Sequence, residues 1–342
     1  MDGVTSSINT SSINTQNMTC NPMETSKHPF LIFVYSLLFL VGLILNSFTM
    51  WFHCCGAQRQ VAKSLMIYMK HLTAADLLLC ISLPMRILHY NSRLFSIHLL
   101  YCSVGGPLLF LNMCASILFM GFIAANRYMK IFYTSGTHFL MTTKASHIIS
   151  IITWFILLTM ATPYTVFLLT THEPTPNHDT CDHLLNESIR PLYGGGHAVS
   201  AIIFLIVLLS LVFFYCSSSC RVRQIQQKQQ GSSNSEKLVK SRRNMLVLVS
   251  VFCFCFVPYY VVRLPYILLE GKCSVVFYYL KEVTVLISVS NICLDPLIYV
   301  FLCEGFRAQL NLKQMFKTEG NKSTSSLKER HTEDQSDMLT LP

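Results

Sequence analysis

Long apolar runs separated by short polar bridges dominate this chain. Windows near 30–52, 65–89, 99–126, 147–170, 197–219, 244–269 and 276–302 are almost wholly hydrophobic over about 20 residues, the length an α-helix needs to cross roughly 30 Å of hydrocarbon. The pattern predicts an all-α membrane protein whose seven transmembrane helices form a bundle over residues 30–303. A polar head (1–29) precedes the bundle; a short amphipathic eighth helix (304–316) and a polar tail (317–342) follow it. Seven spans put the two termini on opposite sides of the bilayer.

Basic residues set the expected orientation, because Lys and Arg accumulate on cytoplasmic flanks. Arg59 and Lys63 follow the first span, Lys130 and Lys144 the third, and Arg221, Arg223, Lys228, Lys237, Lys240, Arg242 and Arg243 fill the loop between the fifth and sixth. The opposite side is sparse, with Lys27, Arg93, Arg190 and Lys272. The amino terminus is therefore expected outside and the carboxyl terminus in the cytoplasm. With 52% hydrophobic and only 13% charged residues, a chain of 342 residues is far too apolar for a soluble domain. Its net charge of +9 then reflects topology and anionic inner-leaflet lipid rather than nucleic acid.

The head shows neither an apolar core nor a small-residue cleavage site, so the first span is expected to act as the targeting signal. Sequons begin at Asn9, Asn17 and Asn186, all on the expected outer side, where glycosylation takes place; a fourth at Asn321 falls inside and should be silent. From about Lys317 the tail is too poor in apolar residues to offset ordering entropy and is expected to be disordered. Of 14 cysteines, four lie on the outer side, Cys20, Cys102, Cys181 and Cys273, and sequence alone leaves their three pairings open. Cys216-Ser217-Ser218-Ser219-Cys220 and Cys253-Phe254-Cys255 lack the paired spacing and His partners of a zinc site and read as packing residues.

Ionisable groups inside the apolar runs carry the functional signal, since each costs a few kcal/mol or more unless partnered or functional. Arg127 closes the third span in Asn126-Arg127-Tyr128, Asp76 sits mid-span in the second, and Asp295-Pro296 lies within the seventh. Asn46, Ser116 and Asn291 occur at mid-depth elsewhere. With Asp76 and Asp295 they supply oxygen ligands able to hold a small hard cation between helices. Pro163, Pro258 and Pro296 each remove a backbone donor inside a span, which a bilayer tolerates only where a neighbour or water satisfies the freed carbonyl.

These residues occur in a combination that resembles the rhodopsin-like (class A) G-protein-coupled receptors over roughly residues 30–316. The matching segments are Gly42-Leu43-Ile44-Leu45-Asn46, Leu72-Thr73-Ala74-Ala75-Asp76, Cys102, Asn126-Arg127-Tyr128, Trp154, Phe252 to Pro258 and Asp295-Pro296-Leu297-Ile298-Tyr299. A closer resemblance is to the purinergic-like branch, with its platelet ADP, lysophosphatidylserine and platelet-activating-factor receptors. Tyr259 to Tyr266 and Lys281 to Thr284 look like the first of these; Leu83 to Leu88 and Asn126 to Ile131 are similar to the second.

The resemblance implies a plasma-membrane receptor without a cofactor, apart from an allosteric sodium ion at Asp76, Ser116, Asn291 and Asp295. It implies disulfides Cys102–Cys181 and Cys20–Cys273. Arg127 would meet a heterotrimeric G protein, with Tyr215, Tyr299 and the Asp295-Pro296 segment rearranging on activation and Asn126 standing where an acidic residue is usual. The inner loop and the 304–316 helix would frame that docking surface, and Ser323, Thr324, Ser325 and Ser326 would take phosphate from receptor kinases and recruit arrestin.

Arg263 lies five residues beyond Pro258 and about 19 from the inner end of its helix, roughly 28 Å up at 1.5 Å per residue. Arg86 and Lys281 fall at comparable depth, and the three cations suit an extracellular phosphate or carboxylate. Tyr260 and Tyr266 would add hydroxyl or stacking contacts, with Phe110 lining the floor. Tyr260, Phe110 and Cys114 replace polar positions of the nucleotide receptors, and the acidic segment around Cys181-Asp182 disfavours a polyphosphate. The ligand expected is thus an anionic small molecule of nucleotide or lysophospholipid type, with a platelet-activating-factor-like ether phospholipid as the alternative. A transporter would show paired repeats and broken helices around a midplane site. An intramembrane enzyme would show a nucleophile–base or metal constellation, and the sequence displays neither pattern.

Overall fold

The computed structural model describes residues 29–55, 63–92, 94–132, 142–171, 181, 189–228, 233–268 and 275–302. Its elements are α1 (Pro29–Cys55), α2 (Lys63–Asn91), α3 (Phe95–Leu100), a π-helical turn (Tyr101–Gly105), α4 (Gly106–Phe132), α5 (Thr143–Thr171), α6 (Arg190–Lys228), α7 (Ser233–Leu268), α8 (Val275–Val289) and α9 (Asn291–Leu302). They make seven helical passages long and apolar enough to cross a membrane, and no strand occurs among the described residues. The seventh passage is α8 plus α9; the third is α3, the π turn and α4.

Burial follows from where each passage stands in the bundle. The third, running from Phe95 to Phe132, is buried over 67% of its most apolar window, against 17% for the fourth. The third is therefore the central post. Its side chains Met113, Ile117, Phe119 and Met120 meet Met69, Leu72, Leu79 and Leu83 of α2 and Phe252 and Phe256 of α7 in one apolar core. Outward faces such as Ile151 and Phe155 of α5 and Leu205 and Leu209 of α6 are exposed, as lipid contact requires.

Three features depart from the hydropathy reading. Helices α6 and α7 run on through polar residues to Lys228 and back from Ser233, because helix propagation does not need an apolar sequence once a long nucleus exists. The seventh passage is broken at Ser290, where the backbone N–H bonds to both Leu286 and Ile287 carbonyls and the side chain caps Ile287 O at 2.6 Å. Cys216 and Cys220 are exposed, so they are not packing residues; Cys255 is buried as expected. The sequons at Asn9, Asn17 and Asn186, the Cys20–Cys273 pair and the 304–316 helix lie outside the described residues.

Pro296 shows how the bundle tolerates a missing donor. It cannot bond the carbonyl four residues earlier, that of Ile292. Asn46 on α1 supplies the replacement, its Nδ2 donating to Ile292 O at 2.7 Å and to Gly42 O at 3.0 Å, fully buried. Nearby, the Tyr299 hydroxyl donates to Met69 O at 3.2 Å and accepts from Thr73 at 3.0 Å, tying α9 to α2. Asn46→Ala is expected to leave a buried carbonyl without a partner, at a cost of about 1–3 kcal/mol. A lower thermal midpoint of the purified protein in detergent checks this, with Asn46→Asp unable to restore the donor.

Candidate functional site

A cavity opens at the end of the bundle that carries the Cys102–Cys181 disulfide, whose Cα atoms are 5.5 Å apart. This bridge ties the π turn to the segment between α5 and α6. Within the turn, Gly105 is required: a Cβ there would stand 2.7 Å from Cδ2 of Tyr101, so only glycine lets that ring lie back toward α2.

Tyr101 is one wall of an enclosure around Arg86. The guanidinium carbon sits 4.8 Å from the ring centre of Tyr35, 5.6 Å from that of Tyr90 and 5.8 Å from that of Tyr101. Its nitrogens donate to the hydroxyls of Tyr101 at 2.8 Å and Tyr90 at 3.0 Å and to Glu282 Oε2 at 2.9 Å. Tyr90 donates to the same carboxylate oxygen at 2.5 Å, and Lys281 Nζ reaches its other oxygen at 3.3 Å. Arg86 and Glu282 are both buried in the wall of the cavity, so each charge is matched where little water reaches it.

The remaining cations face the cavity differently. Arg263 is half-buried on α7, donates to the Tyr193 hydroxyl and lies 5.6 Å from the ring of Tyr266. Lys281 lies between the rings of Tyr266 and Tyr278, 4.8 and 4.7 Å from their centres. Aromatic faces favour both cations, and Lys281 also keeps its ion pair with Glu282. Phe110 lines the same space, its ring 5.1 Å from that of His197.

Five of the six expected ligand residues, Arg86, Phe110, Arg263, Tyr266 and Lys281, line this one cavity. Tyr260 does not. Its ring stacks on Phe204 of α6 at 4.2 Å and its hydroxyl bonds Ser200, which in turn lies 3.3 Å from the Cys114 sulfur. The neighbour Tyr259 faces the cavity instead, since adjacent helical residues point about 100° apart. Sequence reasoning also passed over Glu282 as the partner of Arg86, and Tyr35, Tyr101 and Tyr193. Only Tyr90, four residues from Arg86 on one helix face, left a local signal.

Deeper in the bundle Asp76, Asn112, Ser116, Asn291 and Asp295 are all fully buried. Asn112 donates weakly to Asp76 Oδ1 at 3.4 Å. With both acids ionised, Asp76 Oδ2, Ser116 Oγ, Asn291 Oδ1 and both Asp295 carboxyl oxygens have no hydrogen-bond partner, and the two carboxyls are close enough to repel each other in that state and to share a hydrogen bond when one is neutral. At the far end, Asn126 donates to Ser64 of α2 at 3.1 Å and Tyr128 stacks on Phe214 of α6 at 4.8 Å. Arg127 and Tyr215 are half-buried there, while Tyr299 is fully buried.

Removing Glu282 would strand Arg86 in a dry enclosure. Glu282→Ala is expected to cost about 3–5 kcal/mol, and Arg86→Met combined with Glu282→Leu to recover most of it. Thermal unfolding of the wild type, each single variant and the pair measures that coupling directly.

Comparison with known proteins agrees with this architecture. The family model of the 7 transmembrane receptor (rhodopsin family) matches residues 45–299. The chain is 31% identical over 305 residues to purinoceptor 14 of Bos taurus, covering 86% of this chain and 89% of the relative. It is 30% identical over 328 residues to Probable G-protein coupled receptor 34 of Mus musculus, covering 92% and 86%, and 28% identical to G-protein coupled receptor 87 of the same species, covering 88% and 84%. The protein belongs to the rhodopsin-type seven-transmembrane receptors, in the purinergic-like branch.

Proposed function

We propose that this receptor sits in the plasma membrane with its amino terminus outside and its carboxyl terminus in the cytoplasm. There it binds an extracellular anionic small ligand and signals through heterotrimeric G proteins. The carrying observation is that three cations, Arg86, Arg263 and Lys281, line one cavity against aromatic faces, with Glu282 pairing with both Arg86 and Lys281. Tyr266 bridges Arg263 and Lys281, and Phe110 supplies apolar floor.

A lipid with one phosphate or carboxylate head is favoured over a nucleotide. Gly194, Gly195 and Gly196 of α6 border open space, for a Cβ at any of them would meet nothing within 4 Å, and Gly196 lines the cavity beside Leu192, Met160 and Ala161. An acyl tail suits that apolar margin. Removing one partner of a desolvated charge pair costs about 2–5 kcal/mol, which is roughly 30-fold to several thousand-fold in affinity. Arg263→Ala and Lys281→Ala are each expected to shift agonist potency by about tenfold or more at unchanged surface expression. A panel of nucleotides, lysophospholipids and ether phospholipids supplies the agonist, and shifts under about threefold in both variants would assign these side chains to lipid headgroups instead.

At the cytoplasmic end Arg127 engages the G protein, with Tyr215 and Tyr299 moving into the opened cleft. Arg127→Ala is expected to abolish ligand-stimulated GTP loading while ligand binding persists. Receptor kinases and arrestin act on the tail.

The unpartnered oxygens of Asp76, Ser116, Asn291 and Asp295 fit a sodium ion, which would supply positive charge between two carboxyls and favour the packing that holds it. An ion bound to the inactive arrangement alone must oppose any ligand that prefers the active one. Raising sodium is expected to weaken agonist binding in the wild type and to have little effect in Asp76→Asn; radioligand competition at graded sodium measures both.

A further inference from the structure

The exposed side of α6 continues past the apolar run as a stripe that ends in two thiols. Leu205, Leu209 and Phe213 are 51%, 68% and 59% exposed, and Cys216 and Cys220 extend the same face at helical spacing. Ser218, between them, is fully buried against the bundle, which fixes the thiols on the opposite, lipid-facing side.

Depth separates these thiols from ordinary lipid-facing cysteines. From His197, buried at the cavity, to Cys216 is 19 residues, about 28 Å of helix and close to the full hydrocarbon thickness. Cys220 lies about 6 Å further on, one turn into the headgroup layer. Arg221 and Arg223 follow at once and mark the level of lipid phosphate. Cys114 marks the contrast, being fully buried, while Cys54 is exposed at the end of α1 with Cys55 next in the chain.

We propose that Cys216 and Cys220 form a paired S-acylation site on the cytoplasmic end of α6, a reading that rests on the orientation proposed above. The donor is a long-chain fatty acyl-coenzyme A. The cysteine sulfur attacks the thioester carbonyl, the carbon–sulfur bond to coenzyme A breaks, and the thiol proton leaves on the released coenzyme A, with no change of oxidation state. Each chain then lies back along the apolar stripe beside Phe213 and Leu209. Two chains bind a membrane far more firmly than one. Here they would anchor the end of α6 that extends toward the basic loop.

The test is metabolic labelling of the full-length receptor in cells with an alkynyl fatty acid, followed by hydroxylamine treatment and peptide mapping. The expected result is a hydroxylamine-sensitive acyl group on the peptide holding residues 216–220, lost in Cys216→Ser/Cys220→Ser and kept in Cys54→Ser. Recovery of that peptide only in unacylated form from the wild type overturns the proposal, as does labelling of the double variant at the wild-type level through Cys54, Cys55 or Cys303. Peptide mapping of the wild type decides the matter even if the double variant fails to reach the surface. An epitope at the amino terminus, stained without permeabilising the cells, tests orientation separately. An outside epitope with free thiols defeats the acylation alone, whereas an inside epitope defeats the orientation.

Discussion

Hydrocarbon offers no hydrogen-bond partner, and that constraint governs the polar groups that face the interior of this bundle. Asn46 serves the carbonyl that Pro296 abandons, Trp154 donates to His71 at 3.2 Å, and Tyr299 is held between Thr73 and the Met69 carbonyl. Glu282 gathers Arg86, Tyr90 and Lys281 into one cluster. Apart from Lys281, which shares α8 with Glu282, the partners come from another helix, so the polar contacts fix rotation and depth while the apolar core supplies the bulk of the packing. The mid-bundle oxygens around Asp76 and Asp295 stand outside this rule.

Aromatic packing, rather than a line of charges, runs inward from beside the cavity. Tyr260, Phe204, Phe252 and Phe256 stack in series from the edge of the cavity to the middle of α7, with ring centres 4.2 to 5.8 Å apart. Ser200 and Cys114 lock the upper member to α6 and α4. A packed series of this kind has few intermediate arrangements, which suits a switch between two states.

Much of this is legible in the chain. Seven apolar runs specify the fold because the bilayer imposes length and composition together, and Asp76, Arg127, Asp295 and Pro296 stand out because each is costly where it lies. What stays hidden is rotational phase. In an almost uniformly apolar helix no periodicity says which of Tyr259 and Tyr260 turns inward, and it is Tyr259 that lines the cavity. Glu282 escapes notice as the partner of Arg86 for a related reason: the two are 196 residues apart, and only the assembled bundle brings them to 2.9 Å. The Ser290 break is masked by hydropathy, which averages across it.

That break divides the seventh passage into two pieces of different duty. Lys281 and Glu282 ride on α8, whereas Asp295, Pro296 and Tyr299 ride on α9. A continuous rod would carry any torque at one end faithfully to the other. A jointed one is less uniform, and here Ser290 still bonds back to Leu286 and accepts from Leu294, so the two pieces stay tied at the joint. The wall of the cavity and the buried Asp295–Tyr299 end thus belong to two separately shaped pieces of one passage.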